Sequence, residues 1–479
     1  MPTFAAIRRR GWLVGSEMTV APARRVAFEV IRRAFEHEAW TDLALRSAAQ
    51  RHGLEGRERA QAQRLAYGAV QRRGTCDHLI ERLADRPVSK LDAPALAALR
   101  LGLFELLFAD AVPDHAAVDQ AVELAKGNAG RRRQAAAGLV NAVLRRAARE
   151  RGELLGSLDD TTPQDAALAH SYPEWLARMW WEELGPAEAR AVMAAMNEPA
   201  ETALRVNTIR ADPRSILGEL RAAGDEVERP DAAGPLATPE SLIVHGRLGA
   251  LARQRIEEGA VVAQARGSQA VVALLDPRPG ERVLDLCAAP GIKTTAIAAR
   301  MRDEGEIVAV ELDPARARRL RELCERLGAA CVRVVEADAA GADLGGGYDR
   351  ILVDPPCSDL GALASRPDAR WRKSPQLIDR LARIQEAILA RAATALGPGG
   401  RLVYATCTIS VRENEQRIAA LLETDRALVA DDLGAVHPEL ASRHQPRSLQ
   451  TRPDRDRTDG FFIARLRRDT AKHGSAGEG

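Results

Sequence analysis

The sequence predicts a multidomain protein: an all-α amino-terminal domain, a small α+β subdomain, and an α/β carboxyl-terminal domain on a parallel, doubly wound sheet. Three observations carry this. Apolar residues recur at helical spacing through residues 21–151. Short strands mix with helical pieces across residues 201–278. Across residues 279–468, β-branched strands then alternate with helices in regular succession.

The first helices are marked by Val26, Val30, Ile31 and Phe35, then by Leu65, Tyr67 and Val70, then by Leu79, Ile80 and Leu83. Ala95–Phe108 is apolar enough for a buried central helix, with Pro94 near its start. Pro113 breaks the chain before a short helix over Ala117–Lys126. The last helix, Arg132–Arg149, carries an apolar stripe of Ala136, Leu139, Val140, Val143 and Leu144, with arginines at both ends. Residues 152–200 read as a helical linker, with helices around Pro173–Trp181 and Pro186–Asn197. In the subdomain, Ala203–Asn207 and Leu242–His245 read as strands, and Pro213–Ala223 and Arg247–Glu257 as helices. The α/β domain is expected to place strands at Arg282–Cys287, Glu306–Leu312, Cys331–Glu336, Arg350–Asp354, Gly400–Thr406 and Gly460–Leu466. Its helices fall at Thr294–Met301, Pro314–Leu327, Pro375–Leu396 and Glu413–Glu423. Residues 1–20 and 469–479 carry no such pattern and read as a disordered extension and tail.

Composition narrows the function classes. No run of about 18 uncharged apolar residues occurs, so no membrane-spanning helix is expected. Arg8, Arg9 and Arg10 are followed by neither an apolar core nor a small-residue cleavage site, which argues against a secretory signal. The six cysteines form no CxxC pair, so neither a metal site nor a disulfide framework is expected, and a reducing, cytoplasmic setting fits. The net charge of +2 hides an asymmetry: residues 1–150 hold 25 Arg and Lys against 17 Asp and Glu. Only five of all the basic residues are lysines. Arginine suits bidentate phosphate contacts, although an arginine-rich coding bias gives the same count.

In a doubly wound sheet the ligand lies at the carboxyl ends of the strands. The first expected strand runs into Cys287, Ala288, Ala289, Pro290, Gly291, Ile292 and Lys293, and a helix follows. Small residues there let a cofactor approach the backbone and aim free N–H groups at it. The segment is neither GxGxxG nor the Walker frame, which weakens the dinucleotide and ATP readings. Glu311, about 20 residues on, stands where a ribose diol is held. Asp338 follows the third strand, within reach of an adenine. The fourth and fifth strands end in Asp354-Pro355-Pro356-Cys357-Ser358 and Tyr404-Ala405-Thr406-Cys407-Thr408. A lone cysteine reads as buried filler. Two at adjacent strand tips facing one crevice point to thiolate chemistry. Cys324 and Cys331, in a helix and at a strand start, read as packing.

These motifs, DLCAAPGIKTT, DPPCS and YATCT followed by EN at 413–414, resemble those of the RNA cytosine-5 methyltransferases that use S-adenosylmethionine. The helical domain ending in AAGLVNAVLRRA resembles the RNA-binding NusB antitermination factor. With LRVNTIRAD at Leu204–Asp212 and TDGFF near the end, residues 20–467 resemble bacterial 16S ribosomal RNA cytosine-5 methyltransferases with a NusB-like domain. The resemblance implies a Rossmann-like class I methyltransferase fold, S-adenosylmethionine as cofactor, and 16S ribosomal RNA or a small-subunit precursor as partner. It puts the cofactor loop on Cys287–Lys293, the ribose acid on Glu311 and the adenine-side acid on Asp338. Asp354 then touches both cofactor and base, Cys407 is the nucleophile, and Cys357 is tied to product release. Three departures stand out: Ile292 for the loop's usual second glycine, Glu311 for the commoner aspartate, and Pro355 for alanine.

For RNA, a target base must be reached outside a stack. With aromatics at 4% of the chain, arginine must supply most of the affinity. The expected patches are Arg131, Arg132 and Arg133 with Arg145, Arg146 and Arg149, and the loop Arg366–Lys373, which holds Arg370, Trp371 and Arg372. Two other readings compete. DPP could belong to an amino-group methyltransferase, but Cys357 stands where an aromatic would stack the base, and Cys407 is left without a purpose. A non-catalytic RNA-binding factor would account for the helical domain and leave the carboxyl-terminal half unexplained.

Overall fold

The computed structural model describes residues 20–109, 112–126, 131–231 and 234–469. The expected extension and tail thus fall, apart from Val20 and Asp469, outside the described residues. The chain divides into two compact units, residues 1–158 and 159–479.

The first unit is all helical among its described residues: Pro22–Glu36, Thr41–Arg51, Gly56–Gln71, Arg73–Ala84, Ala93–Phe108, Asp114–Lys126, Arg131–Arg149 and Arg151–Gly156, with a 3₁₀ turn at Val88–Lys90. Ala93–Phe108 is the central helix and is buried nearly all round, as its apolar composition requires. Gly68 admits the Phe104 ring, since a Cβ there would lie 2.0 Å from it. The two charges within this helix are both paired. Arg100 reaches Asp77 at 2.7 Å, and Glu105 takes Arg24 at 2.8 Å.

In the second unit, β1 (Thr202–Val206), β2 (Val227–Glu228), β3 (Ser241–Val244) and β4 (Val261–Ala263) form an antiparallel sheet in the order β2-β3-β1-β4. The LRVNT segment ties this sheet to the larger one beside it. Buried Arg205 donates to Gln264 Oε1 at 2.7 Å and Thr295 Oγ1 at 3.3 Å, and Asn207 Nδ2 donates to the carbonyls of Gly259 and Leu327.

The larger sheet contains β5 (Arg282–Leu286), β6 (Glu306–Glu311), β7 (Val332–Glu336), β8 (Tyr348–Val353), β9 (Leu396–Thr406), β10 (Leu428–Ala430), β11 (Leu449–Gln450) and β12 (Phe462–Arg468), in the order β10-β12-β9-β8-β5-β6-β7, with β11 on β12. Strands β5 to β9 pair in parallel. The expectation of a wholly parallel sheet is corrected at one edge: β12 runs antiparallel to β9, and β10 and β11 are antiparallel to β12. Helices Ile292–Arg300, Pro314–Leu327, Pro375–Ala395 and Glu415–Thr424 cover the faces.

The stretch that reads as a linker is a packed platform. Helices Pro163–His170, Glu174–Leu184 and Pro186–Ala195 bury Trp180, Leu176 and Met193 against Leu360, Leu363, Ile378 and Ile409. Leu360 and Ile409 follow Cys357 and Cys407, so this cluster lies under both cysteine loops.

Candidate active site

The cofactor side grows from β5. The loop after Leu286 turns through Cys287 and Gly291, at φ +65° and +103°. A Cβ at Gly291 would come within 2.5 Å of Leu320, so glycine is needed there for both conformation and space. Ile292 opens the following helix, so the departure from a second glycine falls on a helical residue. Lys293 donates to Asp354 Oδ2 at 2.7 Å and stands 5.1 Å from the centre of the Phe461 ring. Burial works against the Lys293 charge, but Asp354 outweighs it and holds the ammonium above its ordinary value.

Glu311, at the tip of β6, is buried; its Oε1 accepts the Asp313 N–H at 3.0 Å. Its Oε2 faces Arg316 at 3.4 Å but takes no hydrogen bond. A buried carboxylate oxygen with an ion pair but no hydrogen bond, beside a small-residue loop, fits a ligand hydroxyl. Asp338 is exposed beyond β7 and accepts the Ala340 N–H. Asp285 is buried beneath the loop, where burial raises its carboxyl to about 7 against the hydrogen bond from Thr294.

The thiol side is built by the adjacent parallel strands β8 and β9. Their extensions bring Cys357 Sγ and Cys407 Sγ to 3.3 Å. Cys407 also donates to Asp359 Oδ1 at 3.2 Å. Asp359 is held by Arg366 at 2.7 Å and Lys373 at 3.1 Å. Contact with Cys357, then burial, pushes the Cys407 thiol well above its ordinary value, with Arg366 opposing. All six cysteines are free thiols. Burial pushes Cys324 and Cys331 up to about 12, where a thiol is inert.

Glu413 fastens the two cysteine loops together. This buried carboxylate accepts the Ser358 N–H at 2.8 Å, the Ser358 hydroxyl, Gln385 Nε2 at 3.1 Å and the Thr408 hydroxyl at 3.4 Å. Asn414 accepts from Thr406 Oγ1 at 2.5 Å and donates to the Thr408 carbonyl at 3.0 Å. The TDGFF segment closes the site. Gly361 donates to the Cys407 carbonyl and accepts from the Gly460 N–H, an approach in which a Cβ on Gly361 would meet the Gly460 oxygen at 2.0 Å.

One expected RNA contact is overturned. Arg370 is fully buried, donating to the Ser171 and Met196 carbonyls and to Asn197 Oδ1, and it stacks 4.1 Å from the Tyr172 ring. Arg372 pairs with Asp368 at 3.0 Å. In the Arg366–Lys373 loop, Arg370 turns inward to the helical platform and Lys373 to Asp359, while Arg366 pairs with Asp359 but stays exposed. Arg145, Arg146 and Arg149 are exposed, with Arg146 paired to Glu150. The side chains of Arg131, Arg132 and Arg133 lie outside the described ones. Reading the sequence for strand-end acids and cysteines passed over Asp359, and it quoted Glu413 and Asn414 as a motif without giving them a role. The available signal was an acid two residues after Cys357 and the EN pair six residues after Cys407.

Comparison with known proteins agrees with this anatomy. The model of the family "16S rRNA methyltransferase RsmB/F" matches residues 272–467, that of the NusB family residues 21–149, and that of the RsmF/B-like ferredoxin-like domain residues 172–237. A probable ribosomal RNA small subunit methyltransferase B of Synechocystis sp. is 33% identical over 456 residues, covering 93% of this chain and 99% of the relative. Ribosomal RNA small subunit methyltransferase B of Escherichia coli is 34% identical over 420 residues, covering 86% and 91%. The crystal structure of PH0851 superposes with a TM-score of 0.77 at 27% identity, covering 94% of this chain and 100% of that one. Among the described residues no helix is long and apolar enough to cross a membrane. A chain with this methyltransferase domain, a NusB domain and such identity over most of its length belongs to the ribosomal RNA small subunit methyltransferase B family, enzymes that methylate ribosomal RNA.

Proposed function

We propose that the protein methylates carbon 5 of a cytosine in 16S ribosomal RNA, through a covalent bond between Cys407 and carbon 6 of the base. The observation that carries the reading is the pair of thiols 3.3 Å apart at the tips of β8 and β9, beside the Lys293–Asp354 pair and the cofactor loop. S-Adenosylmethionine, held by Cys287–Lys293, Glu311 and Asp338, supplies an electrophilic methyl group. The Oε2 of Glu311, ion-paired to Arg316 but without a hydrogen bond, supports this fit.

Carbon 5 of cytosine is a poor nucleophile until a thiolate adds at carbon 6. Cys407 makes that bond, and the electrons of the ring double bond move toward carbon 5. Asp354, steadied by Lys293, hydrogen-bonds the N3/N4 edge of the base and stabilises the adduct's charge. After methylation the carbon-5 proton leaves, the double bond re-forms and Cys407 departs. Cys357, in contact with the departing sulfur, serves that release. The exposed arginines of the helix Arg131–Arg149 supply phosphate contacts for the RNA. The amino-group alternative gains no support, because Cys357 offers no ring to stack a base. The test is methyl transfer from labelled cofactor to purified small-subunit RNA, with mass analysis of the product. 5-Methylcytidine is expected; an N-methylated nucleoside, or none, overturns the reading.

A further inference from the structure

We infer that Asp359 is the base that takes the thiol proton of Cys407 as its sulfur attacks carbon 6. The inference rests on the cysteine-adduct reading above. It answers a difficulty raised by the site itself, because the Cys407 thiol is held above its ordinary value by Cys357 and by burial, so little thiolate stands ready. A proton acceptor in direct contact removes that difficulty.

Asp359 has the geometry for it. Cys407 Sγ donates to its Oδ1 at 3.2 Å, and the Gly361 N–H, two residues on, anchors the same loop to the Cys407 carbonyl at 2.9 Å. Asp359 sits at φ +58°, a left-handed conformation that aspartate adopts more readily than most side chains. A residue held in that region beside a reacting sulfur is well placed for function. The charged or titratable groups acting on Cys407 are Cys357, Asp359, Arg366 and Lys293. Of these, Asp359 is the carboxylate in contact with the thiol; Asp354 is engaged by Lys293. Arg366 faces Asp359 and both sulfurs, with Asp459 also acting on it, and Lys373 holds the second Asp359 oxygen. The cations therefore stabilise one negative charge whether it rests on Asp359 or on Cys407.

In the step, the S–H bond of Cys407 breaks, its proton passes to Asp359 Oδ1, and the sulfur electron pair forms the bond to carbon 6. The double-bond electrons shift to carbon 5 and the N3 side, opposite Asp354. On elimination the carbon–sulfur bond breaks and the thiolate recovers its proton from Asp359. The carbon-5 proton passes separately to solvent water, and its C–H electron pair re-forms the ring double bond.

The test uses the full chain with Asp359→Asn and Asp359→Gly, both of which tolerate the left-handed backbone. Single-turnover methyl transfer to small-subunit ribosomal RNA is measured from pH 6 to 10, with cofactor affinity as the check on folding. Wild-type rates should stay flat across this range. Both variants should lose roughly 100- to 10,000-fold at pH 7. They should regain about tenfold per pH unit, converging on the wild type as solvent hydroxide ionises the thiol. A merely structural role lowers the rate by the same factor at every pH, and that parallel profile, or an undiminished rate at pH 7, overturns the inference. The wild-type product separates the two failures. If it is not 5-methylcytidine, the adduct reading falls; if it is, and the profiles are parallel, only the role of Asp359 falls.

Discussion

Replacing Glu413 tests whether the spacing of the two thiols is imposed from behind. Its carboxylate is fully buried and acts only as an acceptor, serving the Ser358 N–H, the Ser358 and Thr408 hydroxyls and the Gln385 amide. Glu413→Ala leaves the Ser358 N–H buried without a partner, at about 1–3 kcal/mol, while Gln385 Nε2 loses one acceptor and keeps the Pro356 carbonyl at 2.9 Å. Glu413→Gln keeps one oxygen but turns an N–H₂ toward groups that also donate. Burial raises the Glu413 carboxyl, so part of the ionic gain is already offset. The expected cost for glutamine is therefore no larger, about 1–3 kcal/mol. Urea unfolding followed by tryptophan fluorescence reads the stability, and Trp180 in the platform below the loops is a suitable reporter. Methyl transfer, measured alongside, should fall in both variants while cofactor affinity holds, because Glu311 and the Cys287–Lys293 loop do not depend on Glu413. A glutamine variant within about 0.5 kcal/mol of the parent, with full turnover, would refute the reasoning.

Other perturbations separate the remaining parts of the site. Glu311→Ala should weaken the cofactor roughly 10- to 150-fold, from a charged hydrogen bond of about 1.5–3 kcal/mol, and leave RNA affinity unchanged by titration. Asp285, raised by burial to about 7 from 3.8, favours the fold most below pH 4, and that contribution is lost as pH climbs to 7. Asp285→Asn should therefore raise Tm at pH 8 by the equivalent of a few kcal/mol and change little near pH 4; parallel Tm-against-pH curves for the two proteins argue against it. Cys407→Ala should abolish methyl transfer and every protein–RNA adduct, whereas Cys357→Ala should accumulate a cofactor-dependent slow band on a denaturing gel. A band confined to Cys407→Ala would instead assign the nucleophile to Cys357, at the tip of β8.

Much of the fold was legible because its signals are local. The strands β5 to β9 are β-branched runs bounded by turns, and Pro314 and Pro375 mark the first turns of the helices they open. The direction of β12 was not legible. Its residues read as a strand in either orientation, and only its pairing with β9 decides that it runs antiparallel. Residues 163–195 read as a linker for a similar reason. Their helices are legible locally, but the surface they bury comes from loops about 200 residues away, Leu360, Leu363 and Ile409.

The same division runs through the site. The cofactor half depends on one loop and the acid after the next strand, so Cys287–Lys293 and Glu311 could be picked out by spacing. The thiol half depends on which strands become neighbours. Asp359 reads as an ordinary turn acid until β8 and β9 lie side by side and place Cys407 against it. Arg370 fails in the opposite sense: in a run of charges it reads as solvated, yet here its two terminal guanidinium nitrogens donate to Ser171, Met196 and Asn197 in the core. Charge in sequence thus marks where electrostatics can act, while the partner that a distant element supplies decides what it does. At Arg370 that partner is a set of buried oxygens, and the result is an anchor for the platform; at Arg366 it is Asp359 and two sulfurs, and the result is a field that favours an anion where, in the proposed mechanism, a thiol loses its proton.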